Sequence, residues 1–384
     1  LDSPLIWVAA AVVLALLAWA AVRVMRTPEP APETVKTKRK KSEATSKSTS
    51  TSPPKDSPKD SADKHPESPE LPSIADEKDD VEITVVTAFP KTDRPAAEDI
   101  PIDEDAPMSE EMAQASKIEV IYEDEADIEE VTSPIARILV SASGQSDTGK
   151  VRRRNEDSLL FLPERSLFAV ADGMGGHAGG DVASQLAVEV LRRAFEKNIF
   201  DGKTEAATTV PRRGHEMACA IQMANQAILM KAQKDPELAG MGTTLVAARF
   251  SPNKQRVYIG HVGDSRCYRL RGKSIRQLTT DHTLLGLGLT GPGSQALYQA
   301  VGVKSRITID VVVDKPRADD LYLLCSDGLC KMASDQRIKE ILLDEPDPEA
   351  AAYGLIEIAN DRGGKDNTTV ILIKVLDRAP PLTT

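Results

Sequence analysis

Four aspartates stand where apolar runs break off: Asp157 in Arg154-Asn155-Glu156-Asp157, Asp172 in Ala171-Asp172-Gly173, Asp327 in Ser326-Asp327-Gly328, and Asp366 in Lys365-Asp366-Asn367. A single carboxylate in such a place is ordinarily a turn-former, because Asp hydrogen-bonds its own backbone. Four repeats of that context admit a second reading, in which the fold gathers them. Gathered carboxylates repel one another and lose solvent, so a cation has to neutralise them. With all-oxygen donors and no accompanying His or Cys cluster, that cation is a hard one, Mg²⁺ or Mn²⁺, rather than zinc. A water held between two such ions loses a proton readily and is suited to in-line attack on a phosphoryl group.

The elements that must position these residues are legible as short apolar runs. Strands are predicted at 136–141, 158–162, 167–171, 243–250, 256–262, 266–270, 307–313, 321–325 and 368–376, most of them joined by hairpin-length connections. Helical spacing appears at Val182, Leu186, Val190 and Phe195, and again across 216–232, 335–343 and 348–360. Strand-rich blocks flanked by helices imply an α+β layered domain over residues 134–384.

Upstream of it the composition changes. Residues 1–133 carry 15 Lys and Arg against 29 Asp and Glu, and the remainder carries 33 against 30, so the net charge of -11 belongs to the front third. No basic excess is available to neutralise a run of phosphates, which argues against nucleic acid as a partner. Residues 4–22 are apolar and uncharged, long enough to cross a bilayer, and Arg23, Arg26 and the Lys-rich stretch 36–41 follow them. The positive-inside rule then makes 1–26 a single-pass transmembrane anchor in the inner (cytoplasmic) membrane, with everything downstream in the cytoplasm. A cleaved signal peptide is the rival, since Ala18-Trp19-Ala20 mimics a cleavage site, but such peptides carry their positive charge before the apolar run. Residues 27–133, Pro/Ser/Thr/Lys-rich and then acidic, read as a disordered linker. Cys219, Cys267, Cys325 and Cys330 lack the close paired spacing of a zinc site and read as reduced, mostly buried thiols.

The motifs in order are Thr148-Gly149-Lys150-Val151-Arg152 leading into Asn155-Glu156-Asp157, then Val170-Ala171-Asp172-Gly173-Met174-Gly175-Gly176-His177 and Gly240-Met241-Gly242-Thr243-Thr244. His261-Val262-Gly263-Asp264-Ser265-Arg266, Asp281-His282, Cys325-Ser326-Asp327-Gly328-Leu329 and Gly364-Lys365-Asp366-Asn367 follow. Together they resemble the metal-dependent protein phosphatases of type 2C, the bacterial branch most closely, over about residues 135–376. The resemblance implies a four-layer α-β-β-α sandwich, two antiparallel sheets flanked by helices. It also implies hydrolysis of phosphoserine and phosphothreonine on proteins at a centre of two Mn²⁺ or Mg²⁺ ions. Asp172 would bridge the ions, and Asp157, Asp327, Asp366 and the Gly173 carbonyl would complete the protein ligands, with Glu156 acting through water. Arg152 would grip the substrate phosphate. Asp264, with Asp327, would hold a third, weaker ion, unless it is a turn carboxylate paired with Arg266.

Two departures accompany the resemblance. Met174 stands where eukaryotic members carry a histidine proposed as general acid, and His177 is a weak substitute, favoured instead as a core residue. The 281–302 segment is shorter than the flap of typical relatives. Implied partners are phosphoproteins and a Ser/Thr protein kinase. The alternatives are a catalytically weak, membrane-tethered phosphoprotein sensor or scaffold of the same fold, and a hydrolase of small phosphate esters.

Overall fold

Every apolar run predicted as a strand forms one, because nearly all are buried on both faces and cannot be left in solvent. The computed structural model describes residues 117–123, 138–175, 179–200, 210–251, 253 and 255–377. In chain order the elements are β1 (Lys117–Tyr122), β2 (Ile138–Asp147), β3 (Asp157–Leu162), β4 (Leu167–Met174), α1 (Gly179–Glu196), α2 (Arg212–Lys234), β5 (Gly242–Thr243), β6 (Leu245–Phe250), β7 (Val257–Val262), β8 (Arg266–Arg271), β9 (Ser274–Gln277), β10 (Thr308–Asp314), β11 (Leu321–Cys325), α3 (Asp327–Met332), α4 (Asp335–Asp344), α5 (Pro348–Asp361) and β12 (Thr368–Asp377). The 4–22 run and His177 lie outside the described residues. Among those described, no helix is long and apolar enough to cross a membrane.

The strands form two sheets, ordered β1-β10-β7-β6-β4-β3 with β5 on β4, and β2-β12-β11-β8-β9. Side-chain alternation distributes them over three apolar layers. Along β4, Leu167, Ala169 and Ala171 face the amphipathic sides of α1 and α2, meeting Leu186, Leu191, Met217 and Ile221. Phe168 and Val170 face the other way and meet Ile371, Ile373 and Tyr322 of the second sheet. On that sheet's far side, Leu323, Val370 and Leu372 pack against Ile338, Leu342 and Leu355 beneath α3, α4 and α5. The order helices, sheet, sheet, helices is the expected four-layer sandwich.

A buried polar link fixes how the sheets sit on each other. Asp314 of β10 accepts from Arg269 of β8 and, at 2.6 Å, from the Tyr322 hydroxyl of β11. A carboxylate paired on both oxygens disfavours sliding, since any shift would leave a charge buried and unpaired.

Two expectations are corrected. The first sheet is not wholly antiparallel: β1 runs parallel to β10, in register from Lys117↔Thr308 to Tyr122↔Val313. β1 also lies inside the stretch that composition assigns to the disordered linker. Its Ile118, Val120 and Tyr122 pack against the first core layer, and Glu123 pairs with Arg276 at 2.9 Å. β1 itself reads Lys-Ile-Glu-Val-Ile-Tyr, and the alternation turns Ile118, Val120 and Tyr122 to one face that needs a partner layer.

Candidate metal centre

The antiparallel pairing of β3 with β4 puts Asp157 directly opposite Asp172. In the second sheet β11 and β12 are also antiparallel neighbours, and Asp327 follows the end of one while Asp366 precedes the start of the other. Each sheet thus delivers two aspartates to the same end of the sandwich. Ser326 joins the two sets, donating to Asp157 Oδ2 at 2.8 Å while accepting from the Thr369 amide at 2.9 Å.

The local sequence explains why these turns hold. The Asn155 side chain accepts from the Asp157 amide at 3.1 Å, a local turn that aims the strand entry. Asn367 accepts from the Glu156 amide at 2.8 Å and donates to the Thr148 and Arg154 carbonyls at 2.9 Å each, tying the arginine-bearing loop to the Asp366 turn. The Thr243 hydroxyl and the Thr244 amide both donate to the Asp172 carbonyl at 2.9 Å. Gly173 admits no side chain: a Cβ there would lie 2.1 Å from the Gly180 carbonyl oxygen.

The result is a cleft of about 240 Å³ lined by Arg152, Glu156, Asp172, Gly173, Met174, Asp264, Asp327, Lys331 and Asp366, among others. Asp157 lies beneath it, 1% exposed. Arg152, Glu156, Asp172, Gly173, Asp264, Asp327 and Asp366 therefore share one cleft with Asp157 at its base, while His177 lies outside the described residues. Burial is the first cause that raises the pKa values of Glu156, Asp157, Asp172, Asp264 and Asp327, and neighbouring carboxylates add to it. Asp157 is pushed up to about 7 by burial, with Asp327 and Asp366 contributing. Asp264 is likewise pushed to about 7 by burial, with Asp327 next. Asp172 is raised well above the carboxylate range by burial, then by Asp157 and Asp327. Burial also raises Glu156, against the pull of Arg152.

Two cations oppose this concentration of negative charge. Lys331, one helical turn after Asp327, pairs with it and lies 4.0 Å from Asp366. Arg152 pairs with Asp366 at 2.9 Å, its side chain half exposed. Sequence reasoning missed Lys331; its only signal was the i,i+4 spacing from a motif aspartate, which surface helices share. Arg266 does not pair with Asp264. It grips Asp281 through Nε at 2.9 Å and Nη2 at 2.6 Å, leaving Asp264 facing the cleft.

This arrangement suits hard divalent cations. The donors are carboxylates and a backbone carbonyl crowded at one cleft, and Asp327 Oδ1 is buried with no hydrogen-bond partner. Among the described residues a nitrogen-bearing group, His261, His282 and Asp310, also brings potential ligand atoms within 4.8 Å of one another. It lies behind the Asp264 turn: His282 Nδ1 accepts from the Gly263 amide and Nε2 meets Asp310 Oδ2, both at 3.2 Å. Burial, followed by His282, pushes His261 down to about 3, leaving a neutral ring. We assign this group to support of the turn.

Comparison with known proteins agrees with this geometry. The family described as Protein phosphatase 2C matches residues 150–344. The Serine/threonine phosphatase stp of Listeria welshimeri is 37% identical over 247 residues, 61% of this chain and 95% of that protein. The Serine/threonine protein phosphatase PstP of Mycobacterium tuberculosis is 36% identical over 250 residues, 62% of this chain and 46% of that protein. A crystal structure of M. tuberculosis PstP/Ppp superposes with a TM-score of 0.54 at 34% identity, covering 63% of this chain and all of that one. A PstP catalytic domain in complex with two manganese ions superposes at 0.53 with 36% identity, over 62% and 100%. With the motifs in order, the acidic cleft in place and most of stp spanned, the chain belongs to the protein phosphatase 2C family.

Proposed function

We propose that the chain is a protein-serine/threonine phosphatase that hydrolyses phosphoserine and phosphothreonine on proteins with two Mn²⁺ or Mg²⁺ ions. The observation that carries this reading is the convergence of Asp157, Asp172, Asp327 and Asp366 on one cleft with the Arg152 guanidinium beside it. When bound, the ions acidify water and neutralise the phosphoryl oxygens.

Asp172, which feels the charges of Asp157, Asp327, Asp264 and Asp366, would hold both ions in this reading. Asp157, Asp327, Asp366 and the Gly173 carbonyl would complete the set, Glu156 would act through water, and Asp264 with Asp327 would hold a third ion. Arg152 has the planar donor fork that binds a phosphate bidentately. Met174 offers no proton, so the leaving serine or threonine oxygen is protonated by a group other than this side chain. The manganese-containing PstP structure and the names of the relatives support the choice of ion and substrate. A Ser/Thr protein kinase is the natural antagonist of such an activity.

The apolar run 4–22 and its basic flank support an N-terminal membrane anchor, with a linker carrying the phosphatase domain in the cytoplasm. Manganese-dependent release of phosphate from a phosphothreonine peptide tests the main reading. A chain that binds the peptide without turning it over would instead be a sensor or scaffold.

A further inference from the structure

A pair of thiols stands beside the acidic cleft without belonging to it. Cys325 ends β11 and is fully buried, and Cys330 lies in α3, half-buried; their sulfurs are 3.6 Å apart. Between them in sequence stand Ser326, which donates to Asp157, and Asp327, which lines the cleft. Cys330 Sγ also lies 3.6 Å from the Tyr268 hydroxyl, which accepts from Arg266 at 2.8 Å.

We propose that Cys325 and Cys330 form an oxidative modification site, at which a hydroperoxide converts the two thiols to a disulfide and switches the cleft off. The inference rests on Asp327 acting as proposed above. Cys330 is the less buried of the two residues. Contact with Cys325, aided by Arg266 and Tyr268, holds it below the usual thiol range. As thiolate it attacks a peroxide oxygen; the O–O bond breaks, hydroxide leaves, and a sulfenic acid forms. Cys325 sulfur then attacks Cys330 sulfur and the S–O bond breaks. The departing hydroxide takes the Cys325 proton as water. With hydrogen peroxide the balance is two thiols plus one peroxide giving one disulfide and two waters, two electrons passing from sulfur to oxygen.

The structural consequence follows from which sulfur can move. A disulfide needs the sulfurs at about 2.05 Å, well inside their present separation. Cys325 is fixed by pairing with Val370 on one side and Arg266 on the other. The displacement therefore falls on the Cys330 side chain and on α3, the helix that carries it together with Asp327 and Lys331. That helix has no slack, since a Cβ at Gly328 would lie 1.9 Å from the Asn367 carbonyl oxygen. Any movement is passed to Asn367, which ties the Arg152 and Asp366 loops together.

The test treats the manganese-loaded full chain with hydrogen peroxide, alkylates remaining thiols, and follows three quantities. These are the Cys325–Cys330 disulfide by peptide mass spectrometry, p-nitrophenyl phosphate turnover, and the thermal shift on adding Mn²⁺. Disulfide formation should track a fall in turnover of about a hundredfold, the loss expected for a ligand displaced by an ångström, and dithiothreitol should reverse it. Cys330→Ser, or Cys330→Ala if the serine variant folds poorly, should keep its initial activity and resist peroxide. The proposal is overturned if both thiols remain alkylatable, if the disulfide leaves turnover and the Mn²⁺ shift unchanged, or if the Cys330 variants are inactivated equally. Absence of turnover before oxidation would count against the phosphatase reading alone, because the disulfide and the Mn²⁺ shift still report on the thiol pair.

Discussion

Arg152 and Asp366, 214 residues apart in the chain, are joined by the Arg152 Nη2 group, which lies 3.0 Å from Asp366 Oδ2 and 2.9 Å from Oδ1. The group proposed to bind substrate thus rests on a group proposed to bind metal. Without metal the pairing relieves part of the repulsion in the cleft; with metal and substrate, carboxylate and guanidinium are each needed elsewhere. On the proposed function, the pair is a placeholder that both ligands would displace.

A first prediction follows from this contact. Arg152→Ala should lower kcat/KM on a phosphothreonine peptide by roughly thirtyfold to a few thousandfold, the loss of a desolvated charge-assisted pair of about 2–5 kcal/mol. Mn²⁺ affinity should stay level or rise, because Asp366 loses a competing cation. Kinetics across a manganese titration decide between the two effects. Weakened Mn²⁺ binding would mean that the arginine's task is to hold the carboxylate in place.

Asp172→Asn should separate stability from activity. Removing one charge from a buried, mutually repelling set should raise the melting temperature of the chelator-treated protein, by roughly 1–3 kcal/mol in stability. Turnover should fall steeply, with partial rescue by excess Mn²⁺. Calorimetry with and without chelator, beside the activity assay, measures both. A destabilised metal-free Asp172→Asn would show that the carboxylate is not a source of repulsion.

Metal removal also sets a pH dependence. Asp157 titrates near 7 in the fold, far above its ordinary carboxylate value, so the folded metal-free protein holds this proton more tightly than the unfolded chain does. Stability of the metal-free protein should therefore be greatest at pH values below the unfolded carboxylate pKa of about 4, and decline as pH rises through 7. Mn²⁺ should abolish the decline, because the bound ion stabilises the charged form. Melting curves from pH 4 to 8, with EDTA and with Mn²⁺, give the comparison. A metal-free protein that gains stability over this range would refute the assignment.

How much of this was legible in the sequence depended on whether a residue's meaning is local. Asp157, Asp172, Asp327 and Asp366 could be found because each adjoins an apolar run, and a strand end is a local event. The two core faces of β4 could be read from its unbroken apolar run for the same reason. Lys331 could not, since a lysine one turn after an aspartate looks like any surface pair. The Arg266–Asp281 contact depends on the return of a loop fifteen residues on, so Asp264 had two readings until the loop was placed. The His282–Asp310 pair joins a loop to β10, the Arg269–Asp314–Tyr322 link joins three strands, and neither carries a signature along the chain.

Glycine at 328 is a further requirement that sequence suggests only as a motif letter. With 1.9 Å between a Cβ and the Asn367 carbonyl oxygen, Gly328→Ala has to push α3 off the β12 entrance. The expected loss is about 3 kcal/mol or more, and Mn²⁺ binding should weaken with it because Asp327 moves. Urea denaturation and Mn²⁺ titration of the variant test this; a variant of unchanged stability would mean that the two backbones are less closely apposed.

The boundary of the catalytic domain gives the last prediction. Composition places the start of the domain at residue 134, yet β1 extends the first sheet beyond β10 and contributes Ile118, Val120 and Tyr122 to the α1–α2 core layer. Removing β1 exposes the β10 edge and the apolar surface that these three half-buried side chains cover. At about 1.5–3 kcal/mol for each fully buried apolar side chain, half-burial of three amounts to roughly 2–5 kcal/mol. A chain beginning at residue 134 should therefore be less stable than one beginning near residue 112 by about that amount, and more prone to associate through the free edge. Its kcat should be unchanged where it remains folded, because β10 lies two strands from β6 and no residue of β1 lines the cleft. Denaturation midpoints and light scattering of the two truncations, with turnover measured well below either midpoint, settle the boundary. Equal stability would mean that β1 adds no net free energy to the domain, and the start at 134 would stand.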